Sequence, residues 1–212
     1  MRKGIIFDVD GTLWDAGVQV AEAWNFVLRE KYPQVDKIIS SKEIYANMGK
    51  TMKEFGDTLF PFLPPDLRGK VLDDCMDYEN RYLEDHPGLL YPEVREVLRQ
   101  LNWQYDLFIV SNCQRGYIEM LMRACGIQEY IRDIECFGNT GLSKGDNIRM
   151  VIDRNHLDEC FYVGDTAMDG QAAAFAGIPF VFASYGFGRA DEAVGTINSF
   201  ADLLSLAKKL LG

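Results

Sequence analysis

The chain contains no Cys-x-x-Cys pair, and its 5 cysteines (Cys75, Cys113, Cys125, Cys136 and Cys160) are scattered and odd in number. That spacing excludes an ordinary thiolate zinc site and a disulfide framework, and it favours a reducing, cytoplasmic location. No apolar run approaches the roughly 18 residues of a membrane span. The N-terminus leads into a strand pattern rather than a signal peptide. Histidine is scarce, with only His86 and His156 present. Positive charge is also short: 22 Lys and Arg stand against 32 Asp and Glu, for a formal net charge of −10. Such a surface repels phosphate backbones and anionic lipid, so neither nucleic acid nor a membrane is an expected partner. A small anionic substrate would have to be attracted locally, by a metal or by lysines.

With 212 residues, 48% of them apolar and 25% charged, the chain can bury a substantial core and hold one domain, or one plus an insert. From residue 88 onward, helix-like and strand-like segments alternate. The spacing predicts helices over 92–103, 116–125 (stopped by Gly126), 147–155 and 169–176, and a last helix capped by Ser199. Short apolar runs predict strands at 105–110, 134–137, 160–163 and 180–183. Alternation of this kind implies right-handed crossovers and a parallel sheet covered on both faces. Residues 15–87 break the rhythm. They hold helical stretches at 20–31, 52–60 and 67–83, punctuated by prolines, and no convincing strand. The first strand precedes this block and its partners follow it, so the block reads as an insertion.

The first strand carries the strongest signal. Gly4-Ile5-Ile6-Phe7-Asp8-Val9-Asp10-Gly11-Thr12-Leu13 is an apolar run ending in two carboxylates, a glycine and a hydroxyl. Open α/β sheets place ligands at such strand ends. Two anions this close need a cation or a shared proton. Two later runs end similarly: Leu107-Phe108-Ile109-Val110 gives Ser111-Asn112, and Phe161-Tyr162-Val163 gives Gly164-Asp165 with Asp169 beyond. Four aspartates on one rim call for a hard divalent cation with oxygen ligands. Mg²⁺ suits them, since it takes a few carboxylates and keeps waters and phosphate oxygens. Lys144 precedes a helix and could bring positive charge to the same rim.

Two motifs mislead. Gly141-Leu142-Ser143-Lys144-Gly145 fits a nucleophile elbow, but no strand runs straight into it, and only His156 follows as a base. Gly138 to Lys144 nearly spells a P-loop, but serine stands where the glycine before the lysine belongs. The aromatic stripes Trp24-Phe26 and Phe55-Phe60 read as packing within the insert rather than as ligand contacts. His86, before Pro87, reads as structural.

Together the strand ends and Lys144 resemble the four motifs of the haloacid dehalogenase-like (HAD) superfamily, in order and over nearly the whole chain. Asp8 and Asp10 match motif one, Ser111 motif two, Lys144 motif three, and Asp165 with Asp169 motif four. The resemblance implies an α/β fold: a Rossmann-like parallel-sheet core of residues 1–14 and 88–212, with an α-helical C1 cap inserted at 15–87. It implies a Mg²⁺-dependent phosphatase of the phosphoglycolate phosphatase-like group, acting on a small phosphorylated metabolite as a monomer or homodimer. Phosphoglycolate, sugar phosphates and nucleoside monophosphates are all compatible. Asp8 would be the nucleophile and Asp10 the general acid and base. Asp8, the Asp10 carbonyl, Asp165 and Asp169 (directly or through water) would hold the metal, and Ser111, Asn112 and Lys144 would bind the phosphoryl group. Gly49-Lys50 resembles the cap loop that relatives lower onto substrate. A β-phosphoglucomutase-like mutase uses the same motifs and differs in its cap contacts. A non-catalytic phosphate-binding module has no reason to retain all five charged residues. Under this reading Ser143→Ala leaves turnover close to wild type in a phosphatase assay, whereas complete inactivation would restore the elbow.

Overall fold

Short apolar runs line up side by side as the strands of one sheet, and the alternation of side chains along them sorts the core into two faces. The computed structural model describes residues 1–212. The strands are β1 (Lys3–Phe7), β2 (Trp14–Asp15), β3 (Leu89–Leu90), β4 (Asp106–Ser111), β5 (Ile131–Cys136), β6 (Glu159–Gly164), β7 (Phe180–Ala183) and β8 (Gly195–Ile197). Six of them form a sheet of order β5-β4-β1-β6-β7-β8, parallel throughout. Phe7 of β1 sits in register with Ile109 on one side and Val163 on the other. The residues that follow β1, β4 and β6 therefore leave the sheet together at its carboxyl edge, where the strand order reverses about β1.

The helices are α1 (Gly17–Lys31), α2 (Ser41–Tyr45), α3 (Met52–Leu59), α4 (Pro65–Asp85), α5 (Val94–Leu101), α6 (Tyr117–Cys125), the short α7 (Phe137–Thr140), α8 (Lys144–Asn155), α9 (Ala167–Ala176) and α10 (Asp202–Leu211). Ile5, Phe7, Leu107, Ile109, Phe161 and Val163 point to one face and pack with α5, α6 and α10 through Leu98, Ile118 and Leu203. Ile6, Phe108, Val110 and Tyr162 point to the other, against Ile148 and Val151 of α8 and Ala173 of α9.

Helices α1 to α4 lie between β2 and β3 and contribute nothing to the main sheet. α1 packs along α4, and α4 rests against α6. Buried Trp24, Val27, Phe55, Leu59, Val71 and Cys75 fill the space between them. β2 and β3 pair antiparallel, Trp14 with Leu90 and Asp15 with Leu89, and so tie together the two chain segments that enter and leave this block.

Several boundaries differ from the sequence reading. β5 begins at Ile131 rather than 134, because Arg132 and Asp133 sit on an edge strand where they form ion pairs with Asp106 and Arg154. α8 starts at Lys144, with the Ser143 hydroxyl accepting the Asp146 N–H at 3.2 Å. Ser199 does not cap the last helix. Ala201 stands at its N-cap with no side-chain cap bond, and the Asp202 carboxylate turns back to accept the N–H groups of Asn198 and Ser199 at 2.8 and 3.0 Å. Strands β2, β3 and β8 are too short to show a period. Gly126 ends α6 with φ 62°, the left-handed cap expected of it.

Leu98 is fully buried on α5. Leu98→Ala should cost about 2–5 kcal/mol in urea unfolding; an unchanged midpoint would mean that this face of the sheet is not packed as described.

Candidate active site

The turn after β1 is built by one carbonyl. Val9 O accepts the N–H groups of Thr12, Leu13 and Trp14 at 3.2, 2.8 and 3.3 Å. Gly11 takes φ +82°, and a Cβ there would lie 2.2 Å from an Asp165 oxygen, so only glycine fits. The Asp8 N–H donates to Val163 O at 2.9 Å, which carries the parallel ladder one residue beyond β1 and aims the Asp8 side chain out of the sheet's edge.

Behind Asp8 stands Lys144, also buried. Its Nζ reaches Asp8 Oδ1 at 3.0 Å and Asp169 Oδ1 at 2.6 Å. Burial alone would lower the lysine's pKa, but Asp169 and Asp8 outweigh it and hold the ammonium protonated well above its ordinary range. Asp169 serves twice, since its Oδ2 accepts the Thr166 N–H at 2.9 Å and hydroxyl at 2.6 Å in the capping box of α9. Asp165 is fully buried. Its Oδ2 accepts the N–H groups of Phe187 and Gly188 at 2.7 and 3.2 Å, while its Oδ1 has no partner.

One oxygen from each of Asp8, Asp165 and Asp169 lies within 4.8 Å of the others. Desolvation pushes Asp165 up to about 8, and the neighbouring Asp169 and Asp8 add to it. Asp8 rises to about 6 because burial outweighs the pull of Lys144. Carboxylates this crowded and this dry favour losing charge unless a cation joins them. A divalent metal with oxygen preference fits the set, and the unpartnered Asp165 Oδ1 is the atom that asks for one.

Asp10 faces a different environment. Its Oδ1 accepts the Tyr117 hydroxyl at 2.8 Å and the Trp14 indole N–H at 3.1 Å. Burial raises its pKa to about 7, against the lowering effect of the Tyr117 bond. A carboxyl poised there can give or take a proton near neutral pH.

Asp8, Asp10, Ser111, Asn112 and Lys50 all line one cavity between the sheet edge and α1–α4, with an empty volume of about 470 Å³ counting its open mouth. Asn112 Nδ2 donates to Gly49 O at 2.8 Å, so the loop carrying Lys50 is drawn down against the end of β4. Lys50 Nζ itself donates to Asn47 Oδ1 at 2.8 Å. The buried Asn112 Oδ1 and Thr12 hydroxyl have no partner. Thus the sequence-derived residues converge, with Lys144, Asp165 and Asp169 set against Asp8 and the remainder around the cavity.

The sequence reading missed other residues. Trp14 and Tyr117 hold Asp10, and the 187–188 amides hold Asp165. Glu79, Gln114, Trp24 and Phe55 also line the cavity. Trp24 and Phe55 are buried packing residues, as the sequence reading expects, and they also line this cavity. His86 stacks on Tyr82 at 4.3 Å between ring centroids, far from this constellation in role. Ser143 is spent on capping α8, with its Oγ 2.5 Å from Asp146 Oδ2. No nucleophile elbow forms there.

The family model described as haloacid dehalogenase-like hydrolase matches residues 5–183. The chain belongs to that family. It is similar to a phosphoglycolate phosphatase of Rhodobacter capsulatus, 26% identical over 194 residues that cover 88% of this chain and 86% of that protein. A plasmid-borne phosphoglycolate phosphatase of Cupriavidus necator is 26% identical over 234 residues, covering 96% and 94% of the two chains. Among solved structures, a haloacid dehalogenase-like family hydrolase from Streptococcus pneumoniae superposes with TM-score 0.82 at 20% identity, over 97% of this chain and 98% of that one. A predicted phosphoglycolate phosphatase from Haemophilus somnus gives 0.79 at 22%, over 97% and 98%. At these identities the structures bear on the fold, an α/β parallel sheet with helices.

For this HAD-like hydrolase the 186–188 backbone is part of the acidic site. A Cβ on Gly186 would stand 2.3 Å from both the Asp165 Cβ and Gly11 O. Gly186→Ala should therefore weaken divalent-cation binding about tenfold or more in calorimetric titration. Wild-type affinity would show that the 186–188 loop does not position Asp165.

Proposed function

We propose that the protein is a Mg²⁺-dependent phosphatase that hydrolyses a small phosphomonoester through an aspartyl-phosphate intermediate on Asp8. The observation that carries this reading is the pairing of a lysine-braced Asp8 with a separately hydrogen-bonded Asp10 at the mouth of one cavity. Each carboxyl sits in an environment suited to a different task. In this reading residues 15–87 form the cap over a core of residues 1–14 and 88–212.

Asp8 attacks phosphorus, and the bond to the ester oxygen breaks. Asp10 donates its proton to that oxygen, so the organic part leaves as a neutral alcohol. Asp10, now a carboxylate, takes a proton from water as the water oxygen attacks phosphorus, releasing inorganic phosphate and restoring Asp8. Lys144 and the Ser111 hydroxyl neutralise and orient the phosphoryl oxygens, with Asn112 beside them. Asp8, Asp165, Asp169 and the Asp10 carbonyl would hold Mg²⁺, which supplies charge neutralisation that lets one anion approach another. The cap loop at Gly49-Lys50, bonded to Asn112, keeps bulk water from the cavity. The unpartnered Thr12 hydroxyl and Asn112 Oδ1 are free to meet substrate or ordered water.

The low-identity relatives named phosphoglycolate phosphatase support phosphomonoester chemistry. Asp8→Asn should reduce turnover of p-nitrophenyl phosphate by at least about a thousandfold while circular dichroism stays unchanged. Near-wild-type activity in that variant would remove the mechanism. Chelation by EDTA should abolish phosphate release, and added Mg²⁺ should restore it. Release that is indifferent to EDTA would refute the metal's part, and phosphoryl exchange between sugar positions without net phosphate would favour a mutase.

A further inference from the structure

The cavity contains a charged group that phosphoryl chemistry does not use. Glu79, on α4, is 4% exposed and lines the same space as Asp8 and Asp10. Its Oε1 accepts the Gln114 side-chain N–H at 2.8 Å, and its Oε2 accepts the Trp24 indole N–H. Both oxygens thus face donors, as in a carboxylate; an acid hydroxyl would need an acceptor instead. No lysine or arginine lies within ion-pair distance of it. A buried carboxylate held by neutral donors alone is poorly compensated, and burial pushes its pKa up to about 7.

Its position relative to the chemistry follows from the segment after β4. Gln114 holds Glu79, and Tyr117, three residues on, holds Asp10. Asp10 faces the ester oxygen in the mechanism above, so the organic part of the substrate begins there and extends past Glu79. The apolar part of the cavity lining includes Trp24 and Phe55, with ring centroids 5.2 Å apart, and the thioethers of Met48 and Met52. The cavity's cation, Lys50, belongs to the loop bonded to Asn112 at the phosphoryl end, and it is already engaged by Asn47.

We propose, resting on the phosphatase reading, that Glu79 is a specificity determinant that selects phosphomonoesters whose organic part carries a protonated amine on a short chain. An ammonium supplies the countercharge that Glu79 lacks. A glycolate carboxylate would meet like charge at Glu79.

The test compares kcat/KM for 2-aminoethyl phosphate, glycerol phosphate and 2-phosphoglycolate, with p-nitrophenyl phosphate as a general phosphatase substrate. The expected result is a preference for 2-aminoethyl phosphate over 2-phosphoglycolate of about tenfold or more, the factor set by one desolvated charge pair. Glu79→Gln should erase most of that preference, raising KM for the amine and lowering it for the acid. Wild-type preference for glycolate or glycerol phosphate overturns the proposal, and so does a Glu79→Gln variant that scales every substrate alike. Should that variant fail to fold, the wild-type order of preference decides alone. Absence of turnover on all four esters would instead sink the phosphatase reading. Calorimetric binding of 2-aminoethyl phosphate against 2-phosphoglycolate to the wild-type protein would then decide the pocket's selectivity, with tighter binding of the acid overturning it.

Discussion

One buried ammonium sets the terms for the site. Lys144 sits between Asp8 and Asp169, with Asp165 close by, in a place where none of these carboxylates has bulk water to carry its charge. Removing the lysine would leave three mutually repelling acids in low dielectric, and they would take up protons or a cation to shed the charge. Lys144 is the first residue of α8, whose N-terminus Ser143 caps. The position of Asp169 depends on the Thr166 box at the start of α9. Two helix N-termini on the same side of the sheet therefore deliver the opposite charges that meet beside β1.

The other half of the site works by difference. Asp8 and Asp10 stand two residues apart, yet they share no partner. Asp8 is tied to a cation behind the sheet edge, and Asp10 to a phenol and an indole in front of it. A strand's alternation alone would have sent both to one face. The turn stapled by Val9 O, with Gly11 in left-handed backbone, is what separates their roles.

Much of this was legible in the residues. Apolar runs ending in Asp8, Ser111 and Asp165 pointed to one rim, because a parallel sheet must bring such ends together, and the topology does so with β1 between β4 and β6. The helical character of residues 15–87 was equally plain from their periodicity. The residues that escaped were those whose work depends on long-range placement. Tyr117 looks like an ordinary buried residue of α6, and only the fold puts its hydroxyl on Asp10, 107 residues earlier. The amides of Phe187 and Gly188 bind Asp165 through backbone atoms that no side-chain pattern betrays. Glu79 sits in a helix rich in acids; its spacing from Cys75 and Leu83 places it on the buried stripe of that helix, unlike Asp77, but a lone carboxylate there does not reveal what it faces. Trp24 and Phe55 follow the apolar stripe of packing residues, which they also are.

The proposed mechanism requires Asp8 to form a covalent bond to phosphorus. The most direct measurement is to quench the enzyme in acid during turnover, treat it with hydroxylamine, and map the peptides by mass spectrometry. An acyl phosphate on Asp8 becomes a hydroxamate at that residue and nowhere else. Continued turnover with Asp8 unlabelled, or a label on Asp10 or another carboxylate, would contradict the account.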